Sequence, residues 1–194
     1  IFADECYSEI YRHTPPPGLM EISDKLGADP DRVVTFHSLS KRSNLPGLRS
    51  GFAASGEKNI RQMKKLRAYS GAPIPEPLQH VSASVWNDED HVIQNRDIYK
   101  KKYKFADQIF DDFDGYLSPE AGFFLWLNVG DGEKTALELW QNCGVRVLPG
   151  RYLAKDLNGQ SPGDRFIRIA MVSELEETKV GLKKIREFLR KADE

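Results

Sequence analysis

The chain has 194 residues, with 28 Lys and Arg against 29 Asp and Glu, so its formal net charge is −1. That balance excludes the strongly basic surface of a dedicated nucleic-acid binder. A content of 40% hydrophobic and 29% charged residues is that of a globular protein, neither disordered nor collagenous. The longest apolar run, Phe123–Leu127, falls far short of the roughly 20 residues that cross a bilayer, so no membrane partner is expected. Two cysteines, Cys6 and Cys143, do not make a disulfide scaffold, and a reducing, cytoplasmic setting is expected. The chain opens on Ile1-Phe2-Ala3 and then Asp4-Glu5, which reads as the end of a buried strand, and the expectation is the C-terminal part of a longer protein.

Three short strands are predicted early, at 1–3, 33–37 and 51–54, from apolar, β-branched and aromatic runs closed by polar or glycine residues. Pro15-Pro16-Pro17-Gly18 and Ala28-Asp29-Pro30-Asp31 are turn chemistry between the first two. A helix is predicted over 57–69. Its Lys58, Arg61, Lys64, Lys65 and Arg67 read as a solvated face. The segment 70–77, with three prolines, breaks the chain, and a second helix is predicted over 78–86. Val92, Arg96, Tyr99, Tyr103, Ala106, Phe110 and Phe113 then alternate at spacings of four and three, one face of a helix of about 25 residues, long enough to bridge two domains. The remainder predicts a small α+β unit: strands over 123–129, 145–148 and 166–172, and helices over 133–143 and 174–191, the last with Leu182, Ile185 and Leu189 on its apolar stripe.

Phosphate-loop, dinucleotide-binding and zinc-protease motifs are missing, and so is the nucleophile elbow. His13, His37, His80 and His91 lack metal-ligand spacing, so no metal is expected. Cys6 sits beside two acids, which raise a thiol pKa and argue against a nucleophilic role. Asp4, Lys41 and Arg49 remain, each beside a strand end. Singly, each has an ordinary interpretation as a turn or surface residue. Ligands in open α/β sheets bind outside the carboxyl ends of the parallel strands. An acid, an amine and a guanidinium gathered there suit a cofactor with a ring nitrogen, an aldehyde and a phosphate, which describes pyridoxal phosphate.

Asp4-Glu5-Cys6-Tyr7, followed by Ser38-Leu39-Ser40-Lys41 and by Arg49 eight residues after the lysine, resembles the fold-type I, class I/II aminotransferases. Further segments, 119–126, 144–150 and 166–170, resemble the strands of their small domain. The stretches 41–52 and 86–96 resemble, more narrowly, the bacterial succinyldiaminopimelate aminotransferases. The resemblance implies an α/β fold, with the C-terminal part of the large cofactor domain over residues 1–100, the small α+β domain over 101–194, and a long helix joining them. It implies pyridoxal 5′-phosphate as cofactor, amino-acid and 2-oxo-acid substrates, a homodimer, and transfer of an amino group between N-succinyl-L,L-2,6-diaminopimelate and 2-oxoglutarate.

By the same resemblance Lys41 binds the cofactor aldehyde covalently and moves the substrate α-proton. Asp4 pairs, as a buried carboxylate, with the pyridine nitrogen, and Tyr7 hydrogen-bonds the ring oxygen. Ser38, Ser40 and Arg49 are the phosphate ligands, and Arg168, chosen over Arg165, takes the substrate carboxylate. The family's N-terminal half brings further cofactor contacts, so these residues alone do not complete a site. The alternatives are an aminotransferase or lyase of the same fold acting on another amino acid, a non-catalytic ligand-sensing domain of a transcription regulator, and a truncated product without activity.

Overall fold

Val33, Val34 and Thr35 are β-branched residues in a row, and all three are buried. They lead into β2 (Val34–Ser38), the middle strand of a three-stranded sheet ordered β1 (Phe2–Asp4), β2, β3 (Gly51–Ser55). β1 and β2 are parallel, with Asp4 opposite Phe36. β3 returns antiparallel, with Gly51 opposite Ser38. The C-terminal ends of β1 and β2 and the start of β3 therefore lie at one edge of the sheet. A computed structural model describes residues 1–71 and 73–192, and its chain divides into two units, Ile1–Asp97 and Ile98–Glu194.

The helices of the first unit are α1 (Leu19–Lys25), α2 (Leu39–Arg42), α3 (Glu57–Tyr69) and α4 (Glu76–Trp86), followed by the start of α5 (Asp90–Ile109). α1 falls between the two predicted turns, in a stretch for which no element was predicted. It is short, and its first N–H is held by a distant group, Leu19 donating to Glu5 Oε1 at 2.7 Å. α3 has no buried residue, in keeping with a solvated basic face. The predicted break at 70–77 includes Ala72, which lies outside the described residues.

α5 is 20 residues long, shorter than predicted. Phe110 and Phe113 continue its apolar face through turns, the Phe113 N–H donating to Phe110 O at 3.1 Å. The acids Asp111 and Asp112 follow at once, and negative charge at the C-terminal end of a helix opposes further winding. Phe110 is nonetheless buried.

The second unit packs α5, α6 (Gly132–Glu138) and α7 (Leu175–Ala192) with an antiparallel sheet ordered β4 (Phe124–Asn128), β6 (Phe166–Ala170), β5 (Leu148–Pro149). Its core gathers Tyr103, Leu125, Leu127, Ile167, Ile169 and Leu182, among others. Leu125 and Leu127 alternate with Phe124 and Trp126, and Ile167 and Ile169 with Phe166 and Arg168, so each strand buries one face only. β5 covers only Leu148–Pro149, against the predicted 145–148, and Pro149 is paired in the ladder opposite Ile167. The predicted helix over 133–143 becomes α6 and one wide turn, closed by Gly144 at φ 66°, a left-handed position that favours glycine. Lys102 is buried, and its ammonium donates to Met171 O at 2.8 Å and Ser173 O at 2.6 Å. No helix of the described residues is long and apolar enough to cross a membrane.

Leu125 is fully buried at the centre of this core. Leu125→Ala should lower unfolding stability by about 2–5 kcal/mol, with the spread set by how far the cavity collapses. Urea denaturation followed by circular dichroism checks this, and a loss under ~1 kcal/mol contradicts the assigned core.

Candidate active site

The edge of the first sheet carries most of the predicted residues. Asp4 ends β1, where the chain turns sharply: Cys6 N–H donates to Asp4 Oδ1 at 3.1 Å. Tyr7 follows in the same turn. Ser38 ends β2 and caps α2, accepting the Ser40 N–H at 3.1 Å, and its hydroxyl lies 2.9 Å from that of Ser40. Lys41 stands on α2, its Nζ 5.8 Å from the centroid of the Tyr7 ring. Asp4, Cys6, Tyr7 and Lys41 thus form one neighbourhood, and the Cys6 thiol feels the charges of both Asp4 and Lys41.

Arg49 lies just before β3, at φ 54°. A left-handed conformation costs a non-glycine residue about 1–2 kcal/mol. Asn44, at φ 51°, shares it at the other end of the same turn. The Arg49 guanidinium is exposed and donates to Pro46 O at 2.8 Å. It also lines a hollow of about 990 Å³ shared with Phe52, Leu66 and Trp86, whose wall includes neither Asp4 nor Lys41. The predicted acid and amine therefore meet at the sheet edge and not in this hollow.

One electrostatic detail differs from the sequence expectation. Asp4 is exposed in this chain, at the end of β1. Its carboxyl is still held below the usual range, chiefly by hydrogen bonds from Cys6, with a smaller contribution from His37. The Cys6 thiol is pushed up to about 11, first by its burial and then by Asp4. Glu5, beside Asp4, accepts the Leu19 N–H and lies 3.1 Å from His37 Nε2, tying the β1 turn to both α1 and β2.

Several residues around this edge were not anticipated. Arg42 is buried. It donates to Val85 O at 3.2 Å and Trp86 O at 3.4 Å, stacks on the Trp86 ring and pairs with Glu89. Ser43 Oγ lies 2.8 Å from His91 Nε2, and Asn95 reaches Lys41 O at 3.5 Å. Arg96 donates to Glu9 O at 2.8 Å and to its carboxylate at 2.7 Å, and covers the Tyr11 ring. The sequence signals were that 41–52 and 86–96 both carried the narrower resemblance and that Arg96 is the one charged member of the apolar face over 92–113; the contacts were not legible.

Arg168 belongs to the second unit. Strand alternation puts it on the face of β6 opposite Ile167 and Ile169, between Trp126 on β4 and Leu148 on β5. Its guanidinium lies 4.2 Å from the Phe124 ring centroid, and Trp126 stacks on Phe166 beside it. Arg165 precedes the strand and is exposed.

The chain belongs to the family described as aminotransferase class I and II, which it matches over residues 1–185. It superposes on an aminotransferase from Neisseria meningitidis with a TM-score of 0.92 at 38% identity, covering 97% of this chain and 49% of that one. It is 29% identical over 171 residues to the 4-dedimethylamino-4-oxo-anhydrotetracycline transaminase OxyQ of Streptomyces rimosus, covering 88% of this chain and 46% of the relative. An LL-diaminopimelate aminotransferase of Dehalococcoides mccartyi is 26% identical over 164 residues, covering 82% and 41% respectively. The chain therefore spans about half the length of the curated relatives it matches.

Pyridoxal 5′-phosphate is the cofactor that this membership indicates. The donor set at the sheet edge fits it: an ionised carboxylate for a ring nitrogen, a phenol, an amine for an aldehyde, and two linked hydroxyls for a phosphate, with Arg49 two residues before Gly51, the β3 partner of Ser38.

The Asp4–Cys6 contact gives a direct test. Cys6 should alkylate slowly at neutral pH and accelerate only as the pH approaches about 11. Asp4→Asn removes a neighbouring negative charge and should move that midpoint down. Iodoacetamide labelling followed by peptide mapping measures both, and an unmoved midpoint contradicts the contact.

Proposed function

We propose that the chain is the C-terminal half of a pyridoxal-phosphate-dependent aminotransferase, with the large cofactor domain ending near residue 100, the small domain following it, and α5 joining them. The observation that carries this is the gathering of Asp4, Tyr7, Lys41 and the Ser38–Ser40 pair at one end of the β1–β2 pair. When bound, the cofactor supplies an electron sink for the pair left on the substrate α-carbon. Lys41 holds the cofactor aldehyde and, once displaced, carries the proton from the substrate α-carbon. The carboxylate of Asp4 stabilises a proton on the pyridine nitrogen, and the Tyr7 hydroxyl donates to the ring oxygen. Ser38, Ser40 and Arg49 hold the phosphate, and Arg168 binds the α-carboxylate that every amino-acid and 2-oxo-acid substrate carries.

For the substrate, we infer transfer between N-succinyl-L,L-2,6-diaminopimelate and 2-oxoglutarate by a cytoplasmic homodimer. The residues of 41–52 and 86–96 support this. So does the similarity to an LL-diaminopimelate aminotransferase, whose name describes the same carbon skeleton without the succinyl group.

Borohydride treatment of the full-length, cofactor-loaded protein should fix the cofactor on Lys41, and an adduct mapped to another lysine overturns the assignment.

Arg49 and Arg168 should separate in their effects. Arg49→Ala should weaken cofactor retention, with activity partly restored by excess cofactor. Arg168→Ala should keep the cofactor and raise KM for both amino and keto substrates by about tenfold or more. A cofactor titration in which the two variants behave alike contradicts at least one role.

A further inference from the structure

α2 is only four residues long, and a helix of that length has no stability of its own. Its shape depends on what holds it. Leu39 is fully buried, and its N–H donates to Ser50 O at 3.1 Å. Arg42, three residues on and on the same side of the turn, is also buried. Lys41 projects to a different side and is half-buried.

Burying a guanidinium is costly unless every donor finds an acceptor. Arg42 finds them at one place, the C-terminal end of α4. There the carbonyls of Val85 and Trp86 lie in the last turn of α4, at the negative end of the helix dipole, and that of Val85 accepts the Asp88 N–H as well, at 3.3 Å. Glu89 adds a full negative charge, the Trp86 ring covers the guanidinium plane, and the Ser43 hydroxyl takes a further bond at 3.3 Å. Ser43 is held in turn by His91, which lies 2.9 Å from Asp88. These contacts join Lys41-Arg42-Ser43 to Trp86–His91, segments more than 40 residues apart.

We propose that Arg42 is a positioning residue for Lys41: by locking the α2 turn onto the end of α4, with Glu89 as its counter-charge, it sets the direction in which the Lys41 amine is presented. The proposal rests on Lys41 being the residue that carries the cofactor. A planar fork is suited to the task because it meets several acceptors at fixed angles, and a lysine ammonium is not. A displacement of about 1 Å at a reacting group costs about a hundredfold in rate, so even a partial loosening of the turn is measurable.

The test uses the full-length, cofactor-loaded protein with Arg42→Met, Arg42→Lys and Glu89→Gln. For each, kcat, KM, the far-ultraviolet circular dichroism of the fold and the visible circular dichroism of the bound cofactor are measured. Arg42→Met should keep the fold and lower kcat by about tenfold, with KM within about twofold. Its cofactor band should lose dichroic intensity, because that signal reports the cofactor's orientation. Arg42→Lys should fall between Arg42→Met and wild type, and Glu89→Gln should lower kcat by about two- to threefold. If Arg42→Met does not fold, the other two variants decide. Wild-type kcat and cofactor dichroism in the folded variants overturn the positioning role, and so does a fall in kcat with unchanged dichroism. Borohydride mapping of the wild type separates the two levels. An adduct on another lysine overturns both the attachment and the positioning, whereas an adduct on Lys41 with unaffected variants overturns only the positioning.

Discussion

The parallel pairing of β1 with β2 is the constraint on which the candidate site depends. Parallel strands end at the same edge, so the residues leaving β1 and those leaving β2 are neighbours although more than 30 residues separate them. Asp4, Cys6 and Tyr7 come from one exit; Ser38, Ser40 and Lys41 come from the other. An antiparallel pairing of the same two strands would put those two groups at opposite edges of the sheet. β3 does run antiparallel, and for that reason its N-terminal end, preceded by Arg49, arrives at the shared edge.

Local hydrogen bonds and burial both organise charge at this edge. Asp4 is exposed, yet donors from Cys6 hold its carboxyl ionised. Burial, and after it the same contact viewed from the thiol, makes Cys6 a poor nucleophile. Further out, two arginines anchor the exits. Arg42 pins the turn that carries Lys41, and Arg96 pins Glu9 and Tyr11 just beyond Tyr7. Both draw on residues around the end of α4 and the first turns of α5, so one stretch of chain supports both sides of the site.

In the second unit a different device presents a cation. Arg168 interrupts a β6 sequence that otherwise alternates apolar residues, and the pleat turns it away from Ile167 and Ile169. On that face it meets aromatic rings, with Phe124 beneath its guanidinium. Ring contact restricts an arginine without consuming its hydrogen-bond donors, which stay available for a carboxylate.

Periodicity along the sequence determined much of this. The runs 123–129 and 166–172, the apolar face running from Val92 to Phe110, and the stripe of Leu182, Ile185 and Leu189 are local patterns, and each became an element with a buried face. The order of Asp4, Tyr7, Ser38, Lys41 and Arg49 was equally legible, because it needs only spacing along the chain. The tertiary structure decided what spacing cannot encode. α1 formed between the two turns that were visible, with its first N–H satisfied by Glu5, from another segment. Arg42, which in sequence is one more basic residue beside a lysine, became a buried anchor because Val85, Trp86 and Glu89 supply its acceptors across the fold. A buried charge is stable only where distant groups converge on it, and that convergence is a property of the folded chain alone.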